Sequence, residues 1–238
     1  MSAVPKQRAK RRKAAPARKR RAVPHYGQTT DFTCGPSSVI MAMQALKPSI
    51  KAERALELQL WREANTIFMG PSGGHGGCSA LGLALAAHRR GFGVEVHVNH
   101  RGVLLGDRAK SKERAEIMRV LQERDLREAR AVGIPVHYDN LDVADLATML
   151  SAGALPIVLN SMEFLHNDPT AHWFVVTAID DDNVYVNDPW VDRAKGKAPR
   201  DMTGAPIPRA LFAGVTSYGK KRERAAVLVR RRPAALKS

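Results

Sequence analysis

A single cysteine at the start of an apolar helical pattern constrains this chain more than any other feature. In residues 28–38 (QTTDFTCGPSS), Cys34 is followed by Gly-Pro and then by apolar residues spaced for the buried face of a helix. Proline suits the first turn of a helix, where its missing N–H costs nothing. A thiol at such a position faces free backbone N–H groups and the positive end of the helix dipole, which favour the reactive thiolate. We therefore expect Cys34 to be a nucleophile, provided that another part of the chain supplies a base.

Positive charge is concentrated at the two ends of the 238-residue chain. The formal net charge is +15; residues 1–22 carry ten Lys/Arg and no acid, and residues 220–238 carry eight Lys/Arg and one Glu. We expect residues 1–22 to form a disordered basic arm, residues 23–232 to form one domain, and residues 233–238 to be a C-terminal tail. The arm either contacts a polyanion, such as nucleic acid or a ribonucleoprotein, or only keeps the protein in solution.

Cysteine usage and hydropathy predict a cytoplasmic protein. Cys34 and Cys78 are the only two cysteines, too few for a disulfide framework. No stretch approaches about 18 uninterrupted apolar residues, so we expect no membrane span. The arginine pairs near the N-terminus are not followed by the apolar run of a signal peptide.

The order of the hydrophobic patterns predicts an α+β fold. Helical patterns dominate the first 152 residues, and most strand patterns follow them. The predicted helices cover residues 34–46, 52–65, 78–90, 111–131, 142–152 and 208–212. The predicted strands cover residues 94–98, 155–160, 172–179, 184–187 and 225–229. Residues 192–206 are predicted to be a loop, and the turn residues at 180–183 make 172–187 a hairpin.

His172 is the best candidate base among the eight histidines. It opens the most apolar strand, and Asp188 ends the returning strand. In a hairpin folded about Asp181 the two are diagonal neighbours, roughly 7–8 Å apart by Cα, whose side chains can meet. An imidazole and a carboxylate at one end of a hairpin suit a base and the group that orients it. The alternative is an ordinary strand-end histidine followed by an Asp-Pro turn, and His75 in a glycine loop remains a minor candidate.

Several of these motifs together resemble a known family. Gln28 six residues before Cys34, the Cys-Gly-Pro start, the run His172-Trp-Phe-Val-Val and the run Val-Tyr-Val-Asn-Asp188-Pro are similar to the papain-like peptidases that remove double-glycine leaders from bacteriocin precursors. The chain is nearer still to a stand-alone bacterial branch of that family, over most of residues 24–190. The resemblance implies a papain-like fold, with an N-terminal helical part packed on a C-terminal antiparallel sheet.

The resemblance also implies roles for individual residues. Cys34 would be the nucleophile, His172 the general base and acid, and Asp188 the orienting carboxylate. Gln28 and the backbone N–H of Cys34 would donate to the oxyanion that forms during attack on an amide. Further candidates for contact with the substrate are Gly35, His75 and Trp173.

We therefore expect a cysteine peptidase or amidase that cleaves a peptide or protein tail through a thioester and needs no cofactor or metal. The basic ends suggest that the substrate, or its carrier, is acidic. Two alternatives remain open, namely an acyltransferase that uses the same thioester and a non-catalytic polyanion-binding module. Cys78 is expected to serve packing rather than as a second nucleophile, and a metal site at His75 and Cys78 lacks two further ligands.

Overall fold

The computed structural model describes residues 22–65 and 76–232. Three segments lie outside these residues: positions 1–21 of the predicted basic arm, the part of the glycine loop that contains His75, and the C-terminal tail 233–238. The proposed division into an arm, one domain and a tail therefore stays a prediction.

Helices form where the apolar periodicity predicts them, and polar residues begin several of them. The side chains of Ser79, Ser111 and Asp142 each accept a hydrogen bond from a backbone N–H three residues further on, which satisfies one of the free donors of a helix start. None of the helices in the described ranges is long and apolar enough to cross a membrane. These helices are α1 (Cys34–Leu46), α2 (Arg54–Ala64), α3 (Ala80–Arg89), α4 (Lys112–Ala131), α5 (Val143–Ser151), α6 (Glu163–His166) and α7 (Arg209–Val215).

The strands form one sheet in the order β2-β1-β7-β3-β4-β5-β6. The C-terminal strand lies in the interior of this sheet and joins the early strand to the later ones. The strands of the described residues are β1 (Phe92–Val98), β2 (Val136–His137), β3 (Leu155–Ser161), β4 (Ala171–Ile179), β5 (Asn183–Asn187), β6 (Ala205–Pro208) and β7 (Ala225–Arg231).

The sheet is covered on both faces. The larger apolar cluster joins α1 and α3 to one face, and the smaller cluster joins α5 and α7 to the other. Buried β3 and β4 are accordingly apolar on both faces, as expected for strands between two layers. The predicted α+β class, with early helices packed against a later sheet, is confirmed.

One detail of the prediction is wrong, and two short elements leave no sequence pattern. The later strands β3 to β7 are antiparallel, as expected, whereas the early strands β1 and β2 pair in parallel, and a two-residue strand leaves no alternating pattern. Strand β6 occupies Ala205–Pro208, where a loop and a helix start are predicted; two prolines hide it, and they are tolerated because β6 is an edge strand. Helix α6 has only four residues, too few to show a helical period.

Candidate active site

The segment before Cys34 runs beside the end of β5. The backbone N–H of Gln28 donates to the carbonyl of Pro189 at 2.9 Å, and the side-chain nitrogen of Asn187 donates to the carbonyl of Val23 at 2.9 Å. These bonds tie together two parts of the chain that are about 160 residues apart. The beginning of α1 and the end of the β4–β5 hairpin therefore lie side by side.

Helix α1 is also fixed directly to β4. The hydroxyl of Ser38 donates to the backbone carbonyl of Trp173 at 3.2 Å. A Cβ added to Gly35 would lie 2.9 Å from a terminal methyl group of Leu83, so a larger residue there would require the Leu83 side chain between α1 and α3 to shift. Cys34 is thereby held at one end of a helix that cannot move far from the strand carrying His172.

A buried carboxylate holds the loop between Gln28 and Cys34. Glu57 on α2 is fully buried, and its oxygens accept hydrogen bonds from five donors around that loop. A buried carboxylate is tolerated when its lone pairs are satisfied in this way. The sequence pattern gave no sign of this role, because Glu57 appears as one polar position on an amphipathic helix. The donors are the hydroxyls of Tyr26, Thr29, Thr33 and Ser37 and the backbone N–H of Thr29.

His172 and Asp188 meet at the end of the hairpin. His172 Nε2 lies 2.7 Å from Asp188 Oδ1, and the two residues are 2% and 0% exposed. Val175 pairs with Asn187 in the β4–β5 ladder, which is the register of a hairpin folded about Asp181. The predicted register is therefore confirmed at this end, and a bulge between Val176 and Ala178 shifts it by one residue nearer the turn.

Cys34 lies close enough to His172 to contribute to raising the pKa of the imidazole. Because Nε2 of the imidazole is occupied by Asp188, Nδ1 is the ring nitrogen left for Cys34. The structure thus brings Cys34, His172 and Asp188 near one another, although the three residues come from a helix start and two strand ends.

The charges of these groups stabilise one another. Burial alone lowers the pKa of His172, but the charges of Asp188 and Cys34 and their hydrogen bonds outweigh it and raise that pKa well above the ordinary value. Burial alone raises the pKa of Asp188, but His172 and His166 hold it well below its usual range. At neutral pH the arrangement therefore favours a protonated His172 imidazole beside the ionised carboxylate of Asp188.

His166 is a partner of Asp188 that the sequence did not reveal. Its Nε2 lies 3.0 Å from Asp188 Oδ2, and the ring is buried. The backbone N–H of Trp190 donates to Asp188 Oδ1 at 2.8 Å. Both carboxylate oxygens are thereby occupied, which fixes the plane of the carboxylate. The sequence suggested only a polar loop here, since the short helix α6 that turns His166 inward has no pattern.

The side chain of Gln28 has one satisfied end and one unsatisfied end. Its nitrogen donates to the carbonyl of Thr30 at 2.7 Å, whereas Oε1 is buried and has no hydrogen-bond partner among the described residues. The bond to Thr30 determines which end of the amide is the nitrogen, because an oxygen placed there would face another oxygen. One N–H of this amide remains available for a further acceptor.

Cys34 lines a small pocket that is partly open to solvent. Trp173 lies in its wall, while its ring nitrogen donates to the carbonyl of Cys78 at 3.2 Å. Gly35 is buried, and His75 lies outside the described residues, so contact of these residues with a substrate stays a prediction. The residues that line the pocket are Asp31, Phe32, Cys34, Gly77, Cys78, Leu105, Arg108, Thr170, Ala171 and Trp173.

Cys78 shares this pocket but not the chemistry of Cys34. Its side chain is 1% exposed, and its Sγ lies 4.0 Å from the carbonyl of Trp61. Burial, with a smaller contribution from the charge of Cys34, raises the pKa of Cys78 well above its ordinary value. A buried protonated thiol is a poor nucleophile, which agrees with the expected packing role.

A family model matches most of the chain, and solved structures match it at low sequence identity. A model of the Peptidase_C39 like family matches residues 23–230. A double glycine motif protease from an AMS/PCAT transporter, crystallised with the leader peptide, is 14% identical, with a TM-score of 0.45 over 91% of this chain and 96% of that one. A C39-like peptidase from Bacillus anthracis is also 14% identical, with a TM-score of 0.48 over 88% and 95% of the two chains. No curated protein matches the chain.

Proposed function

This chain belongs to the Peptidase_C39 like family, and we propose that it is a cysteine peptidase whose nucleophile is Cys34. The observation that supports this most is the position of His172, whose Nε2 lies 2.7 Å from Asp188 Oδ1 and whose imidazole is close enough to Cys34 for its pKa to be raised by it. A thiol, an imidazole and a carboxylate in this order are the parts of a cysteine-peptidase triad.

In the proposed reaction the Cys34 thiolate attacks the carbonyl carbon of an amide, and the carbonyl electrons move to oxygen. The remaining N–H of the Gln28 amide and the backbone N–H of Cys34 donate to this oxyanion. Protonated His172 then gives its proton to the departing amine, which leaves a thioester on Cys34. Water attacks the thioester with His172 as general base, and a carboxylic acid and the free thiol are released.

Asp188 acts through His172 in this scheme. It holds the ring so that Nδ1 is directed to the thiol, and its negative charge stabilises the imidazolium. His166 and the N–H of Trp190 hold Asp188 in turn. We propose that His166 is a positioning residue, since it contacts the orienting carboxylate and not the reacting atoms.

The pocket beside Cys34 supports a preference for acidic peptides. Its wall holds one basic residue, Arg108, and one acid, Asp31. Arg108 Nη1 donates a hydrogen bond to the Tyr218 hydroxyl at 2.9 Å. A guanidinium held in one orientation pairs with carboxylates in a defined geometry. We therefore propose that an acidic side chain, or a terminal carboxylate, of the substrate lies near Arg108.

The direct test is cleavage of a defined peptide library by the full chain, with products identified by mass spectrometry. We expect wild type to cleave acidic peptides, Cys34→Ser to be inactive, and Cys78→Ser to retain activity as the matched thiol control. Cleavage that survives in Cys34→Ser, or a wild type that neither cleaves a peptide nor forms a thioester, would overturn the proposal.

A further inference from the structure

Three potential metal ligands lie on one face of the sheet at its β2 edge. Glu95 and His97 are two residues apart on β1, so their side chains point to the same face of the sheet. His97 pairs directly with His137 of β2. The ligand atoms of all three lie within 4.8 Å of one another. Strands β7 and β3 separate β1 from β4, so this cluster is distinct from the site around Cys34.

The imidazole of His97 presents an unpartnered nitrogen to this cluster. The residue is 6% exposed, and its Nδ1 lies 2.7 Å from Asp139 Oδ1. Because the carboxylate accepts, Nδ1 carries the hydrogen and Nε2 keeps a lone pair. Nε2 is buried and has no hydrogen-bond partner in the described part of the chain, and Glu95 Oε2 lies 4.0 Å from it. A metal-binding imidazole usually donates its other ring N–H to a carboxylate, which fixes the orientation of the ring.

Glu95 offers its second oxygen to both histidines. Its Oε1 is ion-paired with Arg230, while its Oε2 lies 4.0 Å from Nε2 of His97 and 4.0 Å from Nε2 of His137. Asp139 adds a second carboxylate, and Arg224 lines the same pocket as His97 and Asp139, so the nearby acids and arginines balance. The case for a cation therefore depends on the donor atoms and not on net charge.

We propose that Glu95, His97 and His137 bind a divalent transition-metal ion, Zn²⁺ foremost, which fastens β2 to β1. Two imidazoles and one carboxylate are a donor set typical of zinc, with a fourth position left for water. Zinc binds these donors at about 2.0–2.2 Å, so the three donor atoms have to close on the ion from separations of up to 4.8 Å.

Ligation requires one ring to turn. The imidazoles of His97 and His137 are stacked, with centroids 4.4 Å apart and planes 16° apart. The side chain of His137 is 43% exposed, so this ring has room to rotate until its Nε2 is directed at the ion. The ion would then tie the two-residue strand β2 to the sheet and stabilise only the folded state.

The test uses the full-length Cys34→Ser protein, so that the thiol of the candidate active site cannot bind the metal. After treatment with a chelator, the protein is titrated with Zn²⁺, and bound metal is measured by elemental analysis and calorimetry. Co²⁺ serves as a second probe, because its visible absorption reports the ligands. We expect one Zn²⁺ per chain and a higher melting temperature in the presence of the metal.

Variants in the same background assign the site. His137→Ala changes an exposed edge residue and should abolish binding, and Asp139→Asn should weaken it by about 10–100-fold. His88→Ala removes a histidine elsewhere and should leave binding unchanged. The proposal is overturned if the Cys34→Ser protein binds no Zn²⁺, or if His137→Ala binds it as tightly as its parent.

Discussion

Asp188 accepts a hydrogen bond from His172 at 2.7 Å and holds that ring from the end of a strand 16 residues away. The contact depends on the hairpin register, since a one-residue slip would turn one of the two side chains to the other face. Each of the two buried groups supports the charge of the other. The stability of the site and its chemistry should therefore share one pH dependence.

Asp188→Asn should flatten the dependence of the melting temperature on pH. The pKa of Asp188 is lowered by folding, so its contribution is complete above about pH 4 and is lost as the pH falls through its folded-state value. The pKa of His172 is raised by folding, so its contribution is complete below about pH 6.5 and is lost as the pH rises through its folded-state value.

Near neutral pH we expect Asp188→Asn to cost about 1.5–3 kcal/mol, the range for a hydrogen bond to a charged group. Calorimetric melts across pH, with the exposed Asp182→Asn as control, measure both effects. An Asp188→Asn protein whose melting temperature follows pH as wild type does would show that the pair is not charged.

His166→Ala should impair catalysis without removing any reacting group. The hydrogen bond from His166 helps to keep the pKa of Asp188 low, so its loss raises that pKa and moves the acid limb of the kcat profile to higher pH. KM should stay unchanged, and His166→Gln should restore part of the activity, because its amide can still donate. If His166→Ala alters only the melting temperature and not the pH profile, the residue has a merely structural role.

Glu57→Ala should destabilise the loop between Gln28 and Cys34. Removing this buried carboxylate leaves several donors unsatisfied, and each such group costs about 1–3 kcal/mol, so a large fall in the free energy of unfolding is expected in chemical denaturation. Glu53→Ala, an exposed glutamate beside the same helix, is the matched control. Equal stability of the two variants would contradict the anchoring role of Glu57.

Arg108→Gln should raise KM for acidic peptides and leave kcat nearly unchanged, because the proposed contact is made equally in the bound substrate and in the transition state. Peptides with neutral side chains should be cleaved as before. Arg127→Gln, an exposed arginine on α4, is the control for the change in net charge. If Arg108→Gln cleaves acidic peptides with the KM of wild type, the preference has another source.

The sequence predicted the parts of the candidate site that follow local rules. The helix start at Cys34 and the hairpin between His172 and Asp188 each depend on turn chemistry and periodicity within about 20 residues. These features were enough to place Cys34 at the start of a helix and His172 and Asp188 at the ends of two strands. The resemblance to a known family supplied the reason to combine them in one site.

What the sequence missed depends on contacts between distant segments. Glu57 and His166 look like ordinary polar residues until the fold surrounds them with donors or places them against Asp188. The cluster of Glu95, His97 and His137, where we had expected no metal ligands, exists only because β2 pairs in parallel with β1. No local pattern in a two-residue strand could have shown that pairing.

The measurement that tests the central claim most directly is the rate of iodoacetamide labelling of Cys34 as a function of pH. Both cysteines are buried, with Cys34 7% and Cys78 1% exposed, but burial also raises the pKa of Cys78 well above its ordinary value. Peptide mapping should therefore find the label on Cys34 alone at neutral pH. If Cys34 and His172 form a thiolate–imidazolium pair, wild type should be labelled rapidly already below pH 7, and His172→Ala should lose this early reactivity. Labelling of wild type that stays slow until about pH 8.5, as for an ordinary cysteine, would contradict the proposed active site.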